Sequence, residues 1–157
     1  MVSETVSDKP SGFPVVFAHA ISGQWYAQKI YTATKLGVFD KLPKTKIKSI
    51  NELAKEVNAH PAYLYRALTA IADIGLVTET ANLTVTDDGA FLQSDHPLSL
   101  RNACLVEQPE HAMVWNHLSD SVISGPSSKT GFEIEYGVPW ETYLQTHAEY
   151  ASVSIEQ

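Results

Sequence analysis

Closely spaced glycines are missing from this sequence of 157 residues, which contains eight glycines, no two of them closer than six positions apart. Loops that bind nucleotide-type cofactors need glycines two or three positions apart, because the backbone must turn tightly and approach the ligand. Walker, CxxC, HExxH and GxSxG motifs are missing as well. We therefore expect no cofactor-binding and no catalytic residue in this chain alone.

Cysteine and long apolar runs are also scarce. Cys104 is the single cysteine, which excludes an intramolecular disulfide and is typical of a reducing compartment. The segment MVSETVSDKPSGF is polar and acidic rather than a signal peptide, and no apolar run reaches the roughly 18 residues of a membrane span. We therefore expect a cytoplasmic protein with no membrane partner, in which residues 1–13 form a flexible leader.

Capping signals mark two consecutive helices in the middle of the chain. Ser49 and Glu52 have the spacing of a capping box, and Asn58 can end that helix in a left-handed conformation. Pro61 suits the first turn of the next helix. The apolar stripe of this second helix consists of Leu64, Leu68, Ile71 and Leu76.

Two short runs rich in Thr and Val follow, LVTET and LTVT, which meet at Ala81-Asn82 and predict a β-hairpin. The order helix, turn, helix, hairpin is that of a winged helix. The predicted fold class is therefore mainly α, a winged-helix-like helical domain with a short β-hairpin wing, whose core covers about residues 45–95.

Positive charge is scarce where a winged helix would need it to bind DNA. The chain has a net charge of −7, and Arg66 is the one Lys or Arg between residues 61 and 95. The acids of that stretch are Asp73, Glu79, Asp87, Asp88 and Asp95. Phosphate binding depends on surface cations, because counterion release supplies most of the affinity. The charge pattern therefore argues against nucleic acid as a partner and favours protein contact.

Helical patterns flank this core on both sides. Residues 17–36 read as one helix, with Tyr26, Ile30 and Ala33 on one face. After the winged helix, a helical extension over about residues 97–157 comprises helices at 97–106 and 109–123, a loop at 126–138 and a last helix from Pro139. We therefore expect one domain over residues 14–157.

The six histidines do not form a metal-binding pattern. His111 and His117 are six positions apart and fall on different helix faces. Glu107 and His111 are four apart, but Pro109 lies between them and no third ligand is evident. We expect no metal site.

Five stretches together resemble one enzyme family. "SGQWYAQKIYTATKLGVFDKL", "SINELAKEVNAHPAYLYRALTAIADIGLVTE", "LTVTDDGAFLQSDHPLSLRNACLV", "WNHLSDSVISG" and "GVPWETYLQTHAEYA" occur in the same order as similar stretches of class I S-adenosylmethionine-dependent O-methyltransferases. These are the plant and bacterial small-molecule enzymes, including the hydroxyindole and polyketide types. The resemblance covers about residues 20–151, and its specificity rests on the order and spacing of the motifs.

The resemblance implies that the chain corresponds to the N-terminal dimerisation domain of that family. This domain has a degenerate winged helix that does not bind DNA, intertwines with its twin and closes over the substrate pocket. In the family a Rossmann-like domain follows, with the glycine-rich S-adenosylmethionine loop and the catalytic base, and we expect this chain to stop before it. The implied partners are a second copy or a methyltransferase, and a small aromatic or polyketide-like molecule.

By position in the family, the candidates for substrate-pocket residues are His111, Met113, Trp115 and Leu118. The candidates for the dimer interface are Trp25, Tyr26 and Ile30. The chain departs from the family pattern near its end, where Ala148 replaces the usual Pro, and where Val153, Ser154 and Gln157 replace residues that help to line the pocket.

Two functions fit these observations. The first is a non-catalytic dimerisation and substrate-lid module, which is either a fragment of a methyltransferase or a stand-alone protein that pairs with itself or with a methyltransferase. The second is a small-molecule-binding or chemistry-assisting protein that has reused the fold. Its apolar pocket would be lined by the aromatic residues Trp115, Trp140 and Tyr143. A winged-helix transcriptional regulator is disfavoured by the charge pattern.

Overall fold

The computed structural model describes residues 15–46, 48–78, 83–125 and 129–155. Within these ranges the chain is mainly helical. The helices are α1 (Val15–Lys35), α2 (Val38–Lys41), α3 (Ile50–Glu56), α4 (Pro61–Asp73), α5 (Asp87–Ala90), α6 (Arg101–Val106), α7 (Ala112–Trp115), α8 (Leu118–Ser124), α9 (Gly131–Tyr136), α10 (Trp140–Thr146) and α11 (Ala148–Ile155), with a π-helical turn (Glu107–His111) between α6 and α7. The leader at 1–13 and the turn at Ala81-Asn82 lie outside the described residues.

The helix-turn-helix forms as its capping signals predict. The hydroxyl of Ser49 accepts a hydrogen bond from the Glu52 backbone N–H, and the Glu52 carboxylate accepts one from the Ser49 N–H at 2.9 Å. These two bonds satisfy backbone donors that the first turn of α3 would otherwise leave unpaired. Asn58 has φ 51°, so α3 ends in the left-handed conformation, and α4 begins at Pro61.

Two antiparallel β-bridges occupy the place of the predicted wing. One pairs Val77 with Val85, and the other pairs Leu83 with Lys48 on the chain before α3. The threonine side chains add to this pairing, since Thr78 Oγ1 accepts a hydrogen bond from the Thr84 N–H at 2.9 Å. The described residues therefore contain the base of the predicted hairpin.

A first hydrophobic core lies between α1, α2, α3, α4 and the bridged segments. It consists of Ala33, Val38, Phe39, Leu42, Leu53, Ala54, Val57, Leu64, Leu68, Ile71, Val77, Leu83, Val85, Ala90 and Leu92. Leu64, Leu68 and Ile71 of α4 are buried, as their spacing predicts. Leu76, the fourth residue of the predicted stripe, lies beyond the end of α4 at Asp73 and is half-buried. Gly89 allows α5 to approach the chain after α4, because a Cβ there would collide with the Leu76 carbonyl.

The helical extension differs from its prediction in several places. The helix expected at 97–106 begins only at Arg101, and the helix expected at 109–123 is divided by a π-helical turn and by a break at residues 116–117. The loop expected at 126–138 was wrong over residues 131–136, which form α9. There Thr130 and Glu133 make a second capping box, with the Thr130 N–H donating to the Glu133 carboxylate at 2.8 Å.

The last predicted helix, from Pro139, is two helices rather than one. His147 separates α10 from α11, because its backbone (φ −124°, ψ 74°) leaves the helical region. The extension has its own small core, which consists of Val106, Phe132, Tyr143 and Tyr150 with Val114, Tyr136, Val138 and Leu144 packed against it. The two cores are connected where α6 contacts α1, at the pair Cys104 and Thr34.

Candidate functional site

The outer face of α1 exposes large apolar side chains. Phe17, Ile21 and Trp25 follow one another at intervals of four residues, so they lie on one side of the helix. All three are more than half exposed, and Trp25 is 64% exposed. The other side of α1 carries the buried Ala33 and Thr34 and packs against α4 and α6. The helix therefore has an inner face that belongs to the core and an apolar outer face that the described residues leave uncovered.

A shallow cleft of about 370 Å³ continues this outer face towards α4. It is lined by Trp25, Gln28, Lys29, Thr32 and Ala67, and most of its wall is apolar. The ammonium of Lys29 lies 5.4 Å from the centre of the Tyr26 ring, a distance at which the ring attracts the cation. The cleft can therefore accept an apolar group of side-chain size.

The three predicted interface residues occupy different positions on α1. Trp25 lies on the exposed outer face, whereas Tyr26 is half-buried. Ile30 is half-buried and packs against the first core of its own chain. Of the three, Trp25 alone lies fully on the open surface. Phe17 and Ile21, on the same exposed face, were missed because the sequence pattern around residue 26 predicts a single apolar face.

Aromatic rings fill the centre of the helical extension. The ring centroids of Phe132 and Tyr143 are 5.2 Å apart and nearly perpendicular, and those of Tyr136 and Tyr143 are 4.7 Å apart. The ring of His147 stacks on Tyr143 at 3.7 Å. Such edge and stacked contacts add stabilisation beyond the burial of apolar area. Tyr143 of α10 also contacts Tyr150 of α11, so the aromatic cluster connects α9, α10 and α11.

His111, a predicted pocket residue, is part of this cluster. Its Nε2 lies 2.7 Å from the Tyr150 hydroxyl, and its Nδ1 lies 3.6 Å from the Glu107 carboxylate. Burial raises the pKa of Tyr150 and Tyr143, and it raises the pKa of Tyr136 to about 12. At neutral pH these phenols therefore stay protonated, so they act as hydrogen-bonding groups rather than as bases.

The other predicted pocket residues lie on the surface of α7 and α8. Met113 and Leu118 are about half exposed, and Trp115 is 65% exposed. Val122 and Ile123 extend the same region and are more exposed still. We call this set the α7–α8 face. His111 is thus directed into the aromatic cluster, whereas Met113, Trp115 and Leu118 belong to an open apolar surface.

His117 joins the start of α8 to α9. Its Nε2 lies 2.8 Å from the Glu135 carboxylate, and its Nδ1 lies 3.4 Å from that of Asp120. The hydrogen bond to Glu135 and the nearby charge of Asp120 raise the pKa of His117. This contact connects the start of α8, which carries part of the α7–α8 face, to α9.

Cys104 does not have the surroundings of a nucleophile. Its thiol is half-buried beside the Thr34 hydroxyl, and burial raises the pKa of the thiol.

Across residues 15–46, 48–78, 83–125 and 129–155, no group of three or more His, Cys, Asp or Glu side chains could hold a metal ion. No helix within those ranges is long and apolar enough to cross a bilayer.

Comparison with known proteins assigns a family to the region that carries the α1 face and the first core. Residues 18–94 match the model of the O-methyltransferase dimerisation domain. This part of the chain is an O-methyltransferase dimerisation domain. Phenazine O-methyltransferase PhzM of Lysobacter antibioticus is 34% identical over 136 residues, which are 85% of this chain and 39% of that protein. The chain therefore spans about two fifths of the curated relative that it matches.

Solved structures agree with this assignment. The structure of LaPhzM superposes with a TM-score of 0.80 at 32% identity, over 90% of this chain and 42% of that one. CalO1, described as a methyltransferase in calicheamicin biosynthesis, superposes with a TM-score of 0.77 at 24% identity, over 90% and 42%. Human N-acetylserotonin methyltransferase superposes with a TM-score of 0.73 at 21% identity, over 89% of this chain and 43% of that one. The last two show the shared fold alone.

Proposed function

We propose that this chain is the pairing and substrate-covering part of an S-adenosylmethionine-dependent small-molecule O-methyltransferase. It pairs with a second copy of itself or with a methyltransferase of the same kind, and it acts in the cytoplasm. The observation that carries the proposal is the exposed apolar outer face of α1, which from Ile21 onwards lies within the region that matches a dimerisation domain. Apolar patches of this kind on a helix mark protein interfaces.

The second part of the proposal concerns the α7–α8 face as a substrate lid. Met113, Trp115 and Leu118 present a large apolar area that the described chain does not cover. An aromatic or polyketide-like molecule suits such a surface, because flat rings stack on an indole and gain by leaving water. His111, the residue before α7, is hydrogen-bonded to Tyr150 of the aromatic cluster, so we assign it a positioning role rather than contact with the molecule.

Methyl transfer requires residues that this chain does not supply. S-adenosylmethionine provides the methyl group in the family, and its binding loop depends on glycines that let the backbone approach the ligand. The eight glycines here are at least six positions apart, so the chain does not fit that group. We therefore assign to this chain pairing and substrate covering, and no step of the transfer.

The alternative, a binding protein that has reused the fold, has weaker support. It requires the aromatic residues to line an enclosed cavity, whereas Trp115 and Trp140 are both substantially exposed in the described chain. Tyr143 is buried, but it is packed against Phe132, Tyr136 and His147 rather than against an open space.

Co-purification of two differently tagged copies tests the pairing. We expect a hexahistidine-tagged copy to retain a copy with a second affinity tag when both are produced together. The proposal would be contradicted if the tagged copy retained neither the second copy nor a methyltransferase of the same family.

Calorimetric titration with S-adenosylmethionine tests whether the chain fits the cofactor. We expect no binding heat, and a one-to-one binding curve would contradict this part of the proposal.

A further inference from the structure

Helix α8 contributes no side chain to either hydrophobic core among the described residues. None of its seven residues is buried, and neither core contains one of them. Helix α7 differs, because its Val114 packs against the small core of the extension and lies against Gly131 of α9. A helix of seven residues is not stable alone in water. We therefore expect polar contacts rather than apolar burial to hold α8 in place.

His117 lies at the junction between α7 and α8 and supplies a polar contact to α9. Its Nε2 lies 2.8 Å from the Glu135 carboxylate of α9, and its Nδ1 lies 3.4 Å from the Asp120 carboxylate of α8. A neutral imidazole has one N–H, so it can donate a hydrogen bond to only one of these two acceptors. The imidazolium has two N–H groups and can donate to both. The arrangement around His117 therefore fits the protonated ring.

Cations are scarce in the part of the chain that surrounds this contact. Between residues 102 and 157 the sequence has eight Asp and Glu residues and one Lys or Arg, which is Lys129. That charge is directed elsewhere, since the pKa of Glu133 is lowered by its hydrogen bonds from Thr130 and by the charge of Lys129. His117 is therefore the side chain that can place a positive charge between α8 and α9.

The state of His117 decides whether its contact attracts or repels. The titratable groups of the neighbouring elements, of which α7 has none, are Asp120 in α8, Glu107, Glu110 and His111 in the π-helical turn, and Glu133, Glu135 and Tyr136 in α9. Protonated His117 attracts the carboxylates on both of its sides. When the ring is neutral, one carboxylate loses its hydrogen bond and nothing offsets the repulsion between the two.

We propose that protonated His117 is a pH-sensitive latch that holds α8 against α9, and that loss of the proton releases α8. The α7–α8 face has side chains on both helices. With the latch closed, these side chains form one apolar surface. With the latch open, the α8 part separates from the α7 part, which the small core still holds. The latch follows from the contacts of His117, whereas its regulation of substrate covering rests on the proposed function.

The direction of the pH response follows from the two states of α8. In the closed state, the hydrogen bond to Glu135 and the charge of Asp120 raise the pKa of His117 above its ordinary value of 6.5. In the released state the ring is in water and has the ordinary value. The latch is therefore fully closed below pH 6.5 and opens as the pH rises through the closed-state pKa. One proton is released, so the closing equilibrium falls by at most about tenfold per pH unit.

Hydrogen exchange of the full chain from about pH 5.5 to about pH 9 tests the latch, with each rate corrected for the intrinsic pH dependence of amide exchange. The protection of residues 118–124 is expected to fall as the pH rises, while that of residues 61–73 stays constant. His117→Gln has no titrating ring. We expect its α8 to have, at every pH, the low protection that the wild type reaches at high pH.

Two substitutions on α9 separate the latch from a general effect of charge. Glu135→Gln removes the carboxylate that Nε2 of His117 contacts, and we expect it to reduce the pH response of α8. Glu133→Gln is the matched control, because it makes the same change in charge on the same helix. Gln also serves in a capping box, so this variant should keep the pH response of the wild type.

The outcomes separate this inference from the proposed function. A pH response of α8 that persists in His117→Gln, or that Glu133→Gln reduces as much as Glu135→Gln, would overturn the latch. If the tagged copies associate but wild-type α8 shows no pH response, the inference alone fails. If α8 responds as expected but the tagged copy retains no partner, the latch stands and the proposed function fails.

Discussion

The two halves of this molecule are held together by different means. The half that contains α1 to α5 has a core of aliphatic side chains such as Leu53, Leu68 and Ile71, which are almost completely buried. The half that contains α6 to α11 has a smaller core in which Phe132, Tyr143 and Tyr150 meet edge to face. Aliphatic burial is non-directional, whereas ring contacts and the hydrogen bonds of tyrosine require a defined geometry.

This difference explains where the molecule leaves apolar surface exposed. The first half buries its aliphatic core and exposes a row of large apolar side chains along the outer side of α1, where the pairing surface is proposed. Tyr63, Tyr65 and Ile74, on and just after α4, are exposed as well. The second half is built from helices of four to eight residues, which are not stable alone in water. The α7–α8 face stays exposed in the part of the chain that the structure describes, so we expect the second half to depend more than the first on a partner that covers it.

The largest expected effect is that of removing the central ring of the second core. Phe132→Ala should cost about 3–5 kcal/mol of local stability, because the ring is buried and contacts several others. Hydrogen exchange should show faster opening of residues 129–155, with α4 still protected.

The control is Leu68→Ala, expected to cost about 2–5 kcal/mol and to expose α4 itself. Equal loss of protection in α4 for both variants would show that the two cores open as a single unit.

The next effect comes from the close approach of α9 to α7. A Cβ on Gly131 would lie 2.9 Å from the carbonyl oxygen and from Cγ1 of Val114. Gly131→Ala should therefore cost about 1–3 kcal/mol in the free energy of unfolding, measured with urea. Gly23→Ala in α1 is the control, since a Cβ there meets nothing within 4 Å, and it should stabilise by about 0.5–1 kcal/mol. A neutral Gly131→Ala would mean that α7 and α9 pack loosely.

The two capping boxes give a smaller effect that should be the same in both halves. Ser49→Ala and Thr130→Ala each remove a hydroxyl that accepts a backbone N–H at the start of a helix. Each should lower the free energy of unfolding by about 0.5–2 kcal/mol in thermal or urea melts. If Thr130→Ala has no effect, α9 is held by its aromatic contacts alone. The second half would then depend on ring contacts even at its helix ends, unlike the first half.

The smallest effect is a pH dependence that belongs to the second half. The pKa of folded His117 is raised above 6.5 by Glu135 and Asp120. Its stabilising contribution is therefore fully present below pH 6.5 and is lost as the pH rises through the higher folded value. Melting temperatures should fall more steeply in this window for the wild type than for His117→Gln. Parallel curves would show that the ion pair contributes nothing.

Local signals in the sequence were sufficient for the helix-turn-helix of the first half, but they did not predict the short helices α2 and α5. Ser49, Asn58 and Pro61 mark helix ends through hydrogen bonds and backbone angles that depend on near neighbours, and the structure confirms all three. In the second half the break before α8 is marked by neither Pro nor Gly, and α9 was obscured by the polar residues before it. Those boundaries depend on contacts between rings distant in sequence.

The candidate surfaces were predictable only in part, for a related reason. α1 has apolar residues on two faces, and periodicity does not reveal which one covers its own core. Ile30 packs inward, whereas Trp25 remains outside. Similarly, His111 and Trp115 are only four positions apart. The π-helical turn that precedes α7 directs His111 into the aromatic cluster beside Tyr150, whereas Trp115 remains on the surface. The proposed roles of these residues stay predictions.

The central claim is that this chain exists to associate, and its mass in solution tests that claim most directly. One chain has a mass of 17.3 kDa. Light scattering on the purified protein at micromolar concentration should give twice that value, because a second copy covers the exposed apolar outer face of α1. A mass of one chain, with a stable fold and no tendency to pair, would contradict the account.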